Sequence, residues 1–380
     1  MKIGIISMQR VCNNGSFLQA YGLKKLIESL GHEVIFVDYH VCKPTLSNVN
    51  DRIRYYKLRC RNKLIDLFTN TNSLRCLLTS GIRNIVKKRE VYQNQYLPML
   101  GISNKRHFNT KVDALIIGSD EVFNCTQLNP EVGFSPELFG YNAHAEKVLS
   151  YAASFGNTTS ERLELYGKSE EVKLYLLNFS SISVRDRNSL NIVERLIGIQ
   201  PEVNLDPVLM YDFMSIVPNK EKRRGYIIIY AYRSRISKEE AEGIIEFAKK
   251  ERKTLISVSG KMDWCDEHFE GSPFDVLDLF RHADYAITDT FHGTIFSIIN
   301  CLKFVTLIRN SKDGKYGNQE KLQDLLERLN LTNRIYSDET DILEEKLKAG
   351  IQYEQVFDII VKERQHTMKY LTNNLGICKM

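Results

Sequence analysis

No stretch of this 380-residue sequence approaches the ~18 uninterrupted apolar residues that a bilayer-crossing helix needs. The opening Met1 to Arg10 meets polar residues too soon for a secretory signal, so the chain is expected to stay in the cytoplasm. Eight cysteines, at positions 12, 42, 60, 76, 125, 265, 301 and 378, form no C-x-x-C pair. Neither a zinc ribbon nor a disulfide framework is suggested, and the cysteines read as reduced thiols, several of them core filler. The first strand-to-helix turn carries neither G-x-G-x-x-G nor G-x-x-x-x-G-K-[ST], which argues against a dinucleotide fingerprint and a P-loop. Short-period repeats and low-complexity tracts are also missing.

What is present is ordinary globular material. Hydrophobic residues make up 43% and charged residues 26%, too apolar for a disordered chain, and the length suits two or three cores. The formal charge of +5 is unevenly placed. Residues 51–90 carry eleven Lys or Arg against three acids, a local +8, which leaves the rest of the chain slightly acidic. A general nucleic-acid surface is therefore not expected.

The run Lys2 to Ser7 reads as a strand. After the turn residues around Asn13 come Phe17, Leu18, Tyr21, Leu23, Leu26, Ile27 and Leu30 at helical spacing, with Gly31 as terminator and a second strand over 34–39. That is a βαβ unit, whose crossover requires a parallel sheet. Buried-type strands at 114–119, 147–154, 181–185 and 202–206 extend the same sheet. A basic helical insert, about 51–96, lies outside it. After Pro218 a charged stretch leads into a second series, with strands at 226–232, 254–259, 285–290 and 304–309 alternating with helices at 237–252, 274–281, 293–300 and 319–329. The fold class is α/β: two doubly wound (Rossmann-like) domains facing a cleft. The expected division is 1–218, 219–340 and a helical C-terminal segment 341–380 packing back on the first domain.

Ligands of such sheets bind beyond the strand C-termini, so candidate residues are sought there. The strongest signal is 287–299, ITDTFHGTIFSII, where a strand ends at Asp289 and a helix begins near Gly293. His292 there can transfer a proton, and the helix start, with Thr290 and Gly293, suits an anion. The alternative is that Asp289 or Thr290 caps the helix and His292 packs. Next come Gly118, Ser119 and Asp120 after an apolar strand: Asp120 can act as a base or hold a sugar hydroxyl, or it can cap. Arg185 follows a strand of small and branched residues and can take a carboxylate or phosphate as a bidentate fork. Its alternative is an ion pair with Asp186 or Asp206. Asn14 and Gly15 lie in the first turn, and Arg233, Arg309 and Lys315 follow C-terminal strands. The insert mixes cations with Ile, Leu, Tyr and Phe, as a helix resting on an anionic membrane does; a solvated or oligomer-facing helix is the alternative.

In order along the chain, KIGIIS with NNGSFLQAYGL, DALIIGSDEVFN, SYAASFG, ISVRD, LDPVL and ITDTFHGTIFSII resemble the polysaccharide pyruvyl transferases, over Lys2 to Ile299. EVF stands after GSD where glutamine and tryptophan are common in that family, and Thr290 where serine is common. The resemblance implies a two-domain architecture like that of glycosyltransferase B, and transfer of the enolpyruvyl carbons of phosphoenolpyruvate onto two sugar hydroxyls as a cyclic ketal. It carries the F-H-G histidine onto His292 as general acid and the S-V-R arginine onto Arg185, and it gives Asp120, in the G-S-D motif, a site position; His292 and Asp120 are the expected catalytic residues. The expected phosphoenolpyruvate set is Arg185, Thr290, Gly293, Arg233, Arg309 and Lys315, and the acceptor set is Asn14, Gly15 and Ser119. No metal and no cofactor is expected, phosphoenolpyruvate being a co-substrate. The acceptor saccharide can ride on a polyprenyl carrier, and residues 51–90 would meet the anionic inner face of the membrane. A nucleotide-sugar glycosyltransferase and a non-catalytic member of a polysaccharide assembly complex stay open as alternatives.

Overall fold

The computed structural model describes residues 1–46, 49–70, 80–258, 260–309, 317–337 and 342–377. Six parallel strands, β1 (Lys2–Ile6), β2 (Glu33–Phe36), β3 (Val112–Asp120), β4 (Ala145–Ala153), β5 (Ser183–Val184) and β6 (Glu202–Val203), form one sheet in the order β2-β1-β3-β4-β5-β6. A parallel sheet is covered on both faces, so its central strands are apolar throughout. Accordingly Ile3, Ile5, Ile116 and Ile117 are all buried, with Ile5 paired to Ile116. Helix α1 (Asn14–Ser29) buries Phe17, Leu18, Leu23 and Ile27.

A second parallel sheet holds β7 (Tyr226–Tyr230), β8 (Thr254–Val258), β9 (Glu267–Phe269), β10 (Tyr285–Thr288), β11 (Lys303–Leu307) and β12 (Ile335–Tyr336), in the order β12-β11-β10-β7-β8-β9. Ten of these twelve strands overlap runs read from the sequence; β9 and β12, three and two residues at the sheet edges, do not.

The two orders differ, and each has one place where the chain reverses its direction of winding. In the first sheet this is between β1 and β3; in the second it is between β7 and β10. Crevices beyond strand C-termini at such points are where open α/β sheets take their ligands. Ser7 and Asp120 end up at the first, and Ala231 and Asp289 at the second.

The basic insert forms α2 (Val49–Asn70) and α3 (Ser80–Val91), which pack on each other and contribute to neither sheet. Helices α4 (Ser160–Leu165), α5 (Ser169–Leu176), α6 (Arg187–Ile197) and α7 (Pro207–Met210) follow in the first half, and α8 (Lys238–Glu251), α9 (Pro273–His282), α10 (Phe291–Ile299), α11 (Gln319–Arg328) and α12 (Leu343–Lys348) in the second.

By packing, the chain forms two compact units. The first comprises Met1–Cys12, Ser16–Pro207 and the chain from Thr367 onward; the second comprises Asn13–Gly15 and Val208–His366. Residues after Pro207 join the second because Arg281 donates to the carbonyls of Met214 (3.0 Å) and Val217 (3.4 Å). The last helix, α13 (Tyr353–Leu375), is divided between the units. In the second, Arg364 donates to the Leu209 carbonyl at 2.6 Å; in the first, Tyr370 donates to the Ser150 carbonyl at 2.8 Å.

Candidate active-site residues

The crevice of the first unit is built from short polar side chains at the ends of β1 and β3. Gly118 has φ +129°, and a Cβ on it would fall 2.1 Å from the Tyr151 carbonyl oxygen, so only glycine lets β3 pass β4 here. The following Gly118–Ser119 peptide is cis. Ser119 Oγ donates to Gln19 Oε1 at 2.8 Å, Gln19 Nε2 donates to Ser7 Oγ at 2.8 Å, and Ser7 Oγ donates to the Ser119 carbonyl at 3.1 Å. This closed ring is buried and fully used. Ser119, expected to touch an acceptor, ties α1 to the end of β3.

Asp120 stands next in chain with φ +76°, a left-handed conformation that aspartate tolerates better than most residues. Its carboxylate accepts from Ser16 Oγ at 3.0 Å and from the Glu121 backbone N–H at 2.9 Å. Arg185 Nη1 lies 3.6 Å from the same carboxylate and donates to Asp206 at 2.9 Å. Arg185 is only 3% exposed. Burial opposes its charge, but Asp206 and Asp120 outweigh that and hold its pKa above the ordinary value. The contact present is thus the ion pair with Asp206, one of the two alternatives to an oxyanion fork. Asp186, the other, caps α6 through the Ser189 N–H at 2.9 Å.

In the second unit, α10 starts at Phe291, two residues before the expected Gly293, so His292 sits inside the first helical turn. Thr290 is the N-cap: its Oγ1 accepts from the Gly293 N–H at 3.0 Å. A Cβ on Gly293 would come within 2.2 Å of Thr288 Oγ1, which is why the helix can start so close to β10. The Gly293 N–H expected to meet an anion is therefore committed to the cap. Thr294 and Ser297 return their hydroxyls to the carbonyls of Thr290 and Gly293, and α10 is buried almost all round.

Asp289, fully buried, accepts from the Tyr232 N–H at 3.1 Å and from Arg235 Nη1 at 3.2 Å. Burial pushes its carboxyl pKa up from the ordinary value, and Arg235 works against that shift. The Arg235 guanidinium also lies over the Tyr232 ring, 4.2 Å from its centroid, and is partly exposed.

The turn residue Gly15 belongs to this second unit, where it meets His292: a Cβ on it would fall 2.2 Å from Nδ1 and 2.3 Å from Cγ. The Asn13 side chain holds the turn by accepting from the Gly15 N–H at 2.8 Å. Gly15 and His292, 277 positions apart by their numbers, are two expected residues distant in sequence that the structure brings together here. Asn14 opens α1.

The remaining expected cations lie elsewhere. Arg233 is exposed and pairs with Asp263. Arg309 is spent on Glu240, at 2.7 and 2.8 Å, and on the Arg235 carbonyl. Lys315 lies outside the described residues. Arg235, not among the expected site residues, is the cation beside Asp289; its signal in the sequence is its place in the turn after β7, two residues past Arg233. Among the described residues no group of three His, Cys, Asp or Glu is arranged to hold a metal ion.

The family model for polysaccharide pyruvyl transferases matches residues 13–311. No curated protein matches the chain in sequence. Among solved structures, the trehalose-6-phosphate synthase OtsA is similar at 9% identity and a TM-score of 0.52, covering 100% of this chain and 99% of its own. The UDP-GlcNAc 2-epimerase of Methanocaldococcus jannaschii, in complex with UDP-GlcNAc and UDP, has 13% identity and a TM-score of 0.46 over 99% of each chain. The glycotransferase of kitacinnamycin has 11% identity and a TM-score of 0.48, over 98% of this chain and 97% of its own. The chain belongs to the polysaccharide pyruvyl transferase family, a family of transferases.

Proposed function

We propose that this pyruvyl transferase takes phosphoenolpyruvate as donor and a saccharide as acceptor, and forms a cyclic pyruvate ketal during synthesis of a surface polysaccharide such as a capsule or exopolysaccharide. The observation that carries the reading is the placement of His292 in the first turn of α10, against the Gly15 backbone and three residues from the buried Asp289 that Arg235 meets.

A first acceptor hydroxyl adds to C2 of the enol phosphate and gives its proton to a base, while C3 takes up a proton from an acid, turning the methylene into a methyl group. A second hydroxyl then displaces phosphate from C2, and its proton leaves with the phosphate or passes to a base. The products are the ketal and inorganic phosphate. His292 is the proton donor to C3, a role imidazole can fill near neutral pH. Asp120, accepting from Ser16, is the candidate to orient or deprotonate an acceptor hydroxyl.

Phosphoenolpyruvate carries a carboxylate and a phosphate of about −1.5 to −2 charge. Its proposed cation is Arg235, which is partly exposed and meets Asp289, three residues before His292. The acceptor is placed on a polyprenyl carrier, which would put the enzyme in the cytoplasm at the inner membrane face.

The test is phosphate release from phosphoenolpyruvate with a panel of lipid-linked and nucleotide-linked sugars. Acceptor-dependent release, with a ketal in the product, supports the proposal. Stabilisation by nucleotide sugars but not by phosphoenolpyruvate in thermal unfolding would replace it with glycosyl transfer, because a ligand at 100 times its dissociation constant adds ~2.7 kcal/mol.

A further inference from the structure

Helix α2 is amphipathic on both sides. One face is anchored by buried Tyr55 and Ile65. On the opposite face Ile53, Tyr56, Cys60, Leu64 and Leu67 follow one another at steps of three or four residues, so at 100° per residue they form a single stripe along the helix. All five are exposed, the four larger apolar side chains by 45 to 56%. Burying an apolar side chain against protein is the usual outcome for such spacing, and here the stripe points to solvent instead.

The same helical geometry places the cations. Arg54, Lys57 and Arg61 run along one flank of the stripe, and Arg52, Arg59 and Lys63 along the other. All six are exposed. Lys43 adds a further cation over the Tyr56 ring. Of the acids on the helix, Asp66 is paired with Arg89 from α3. Twenty-two residues at 1.5 Å each make a bar about 33 Å long, apolar along its middle and positive along both edges.

We propose that this face of α2 docks on an anionic phospholipid leaflet, with the apolar stripe entering the headgroup boundary and the six cations meeting lipid phosphates. Charge decides the occupant. A second copy of this chain would set six cations against six identical ones, a like-charge arrangement that opposes association, whereas an anionic leaflet complements both flanks. The attachment is independent of the phosphoenolpyruvate chemistry and concerns residues far in sequence from His292.

The test is co-sedimentation of the whole protein, without sugar or phosphoenolpyruvate, with phosphatidylcholine vesicles and with vesicles containing about 30 mol% phosphatidylglycerol, at low and high salt. Two variants are compared, both altered only at exposed positions. One carries Arg52, Arg54, Lys57, Arg59, Arg61 and Lys63 changed to Gln; the other carries Ile53→Ser, Leu64→Ser and Leu67→Ser. The expected result is salt-sensitive binding of the parent to the anionic vesicles only, reduced about tenfold or more in each variant while thermal unfolding is unchanged. Binding of the serine variant equal to that of the parent would reduce the contact to surface charge and overturn docking by the stripe. No binding of the parent at low salt would also overturn it. So would concentration-dependent dimerisation of the parent that the serine variant lacks, since the stripe would then be an interface between copies.

Discussion

Gly15 gives His292 its place: the imidazole fills the position that any Cβ on residue 15 would need, 2.2 Å from Nδ1. A methyl group there and the ring cannot coexist, so one must move. The glycine acts as a spatial allowance for the histidine and need not touch a substrate to matter.

His292→Asn should lower turnover by about 100- to 10,000-fold, the range for loss of a general acid, with unfolding unchanged. Gly15→Ala should cost about 100-fold by displacing the ring roughly 1 Å. In the double variant the losses should fall well short of multiplying, because both act on one imidazole. Acceptor-dependent phosphate release from phosphoenolpyruvate measures all three. Full multiplication would mean that Gly15 matters for something other than His292.

Asp289 predicts a signature in stability against pH. Its folded pKa is raised, so between its unfolded value, near 3.8, and the raised value the folded protein holds more protons than the unfolded one. The stabilisation from the protonated form is complete below 3.8 and is lost as pH rises through the folded pKa, at about 1.4 kcal/mol per unit of difference. Asp289→Asn removes that decline. Chemical unfolding of parent and variant from pH 3 to 7 should give curves that diverge across this window; parallel curves would contradict the raised pKa.

Arg185→Ala leaves Asp120 and Asp206 buried without their shared cation, and should lower stability by about 3 to 5 kcal/mol in denaturant unfolding without any ligand. Arg185→Lys keeps a charge but loses the planar fork, and should fall between Ala and the parent. If both variants unfold like the parent and lose only phosphoenolpyruvate binding, Arg185 is an oxyanion ligand and not the counter-ion of the two carboxylates.

Thr290→Ala should cost about 1 kcal/mol through loss of the cap on the Gly293 N–H, while Thr290→Ser should be near neutral. Thermal unfolding distinguishes the two. Equal losses would place the importance of Thr290 in its methyl group.

The elements legible in the sequence were those whose apolar period is long enough to stand out, such as Ala114 to Ser119 or the α1 series from Phe17 to Leu30. The edge strand Ile335–Tyr336, two residues among polar neighbours, has no period to read. Strand order was also hidden, since β3 lies beside β1 with more than a hundred residues between them. Within the site, single positions were legible and their partners were not. Asp120 stood out after an apolar strand, but Ser16, its hydrogen-bond partner, is 104 residues away. Gly15 looked like a turn residue, and only three-dimensional packing makes it the neighbour of His292. Arg235 sits two residues from Arg233 in the same turn, and only the path of the backbone decides which guanidinium turns to Asp289 and which to solvent.

The division of α13 sets a timetable for synthesis. Thr367 Oγ1 accepts from the Leu205 N–H, 162 residues upstream, and Tyr370 reaches back to Ser150, so the first sheet obtains these partners only when the last helix leaves the ribosome. At about 5 to 20 residues per second that is a wait of roughly 8 to 30 s. Strand β4 and the segment after β6 are therefore among the last parts of the first sheet to gain their partners, and the second sheet is fully translated while they wait.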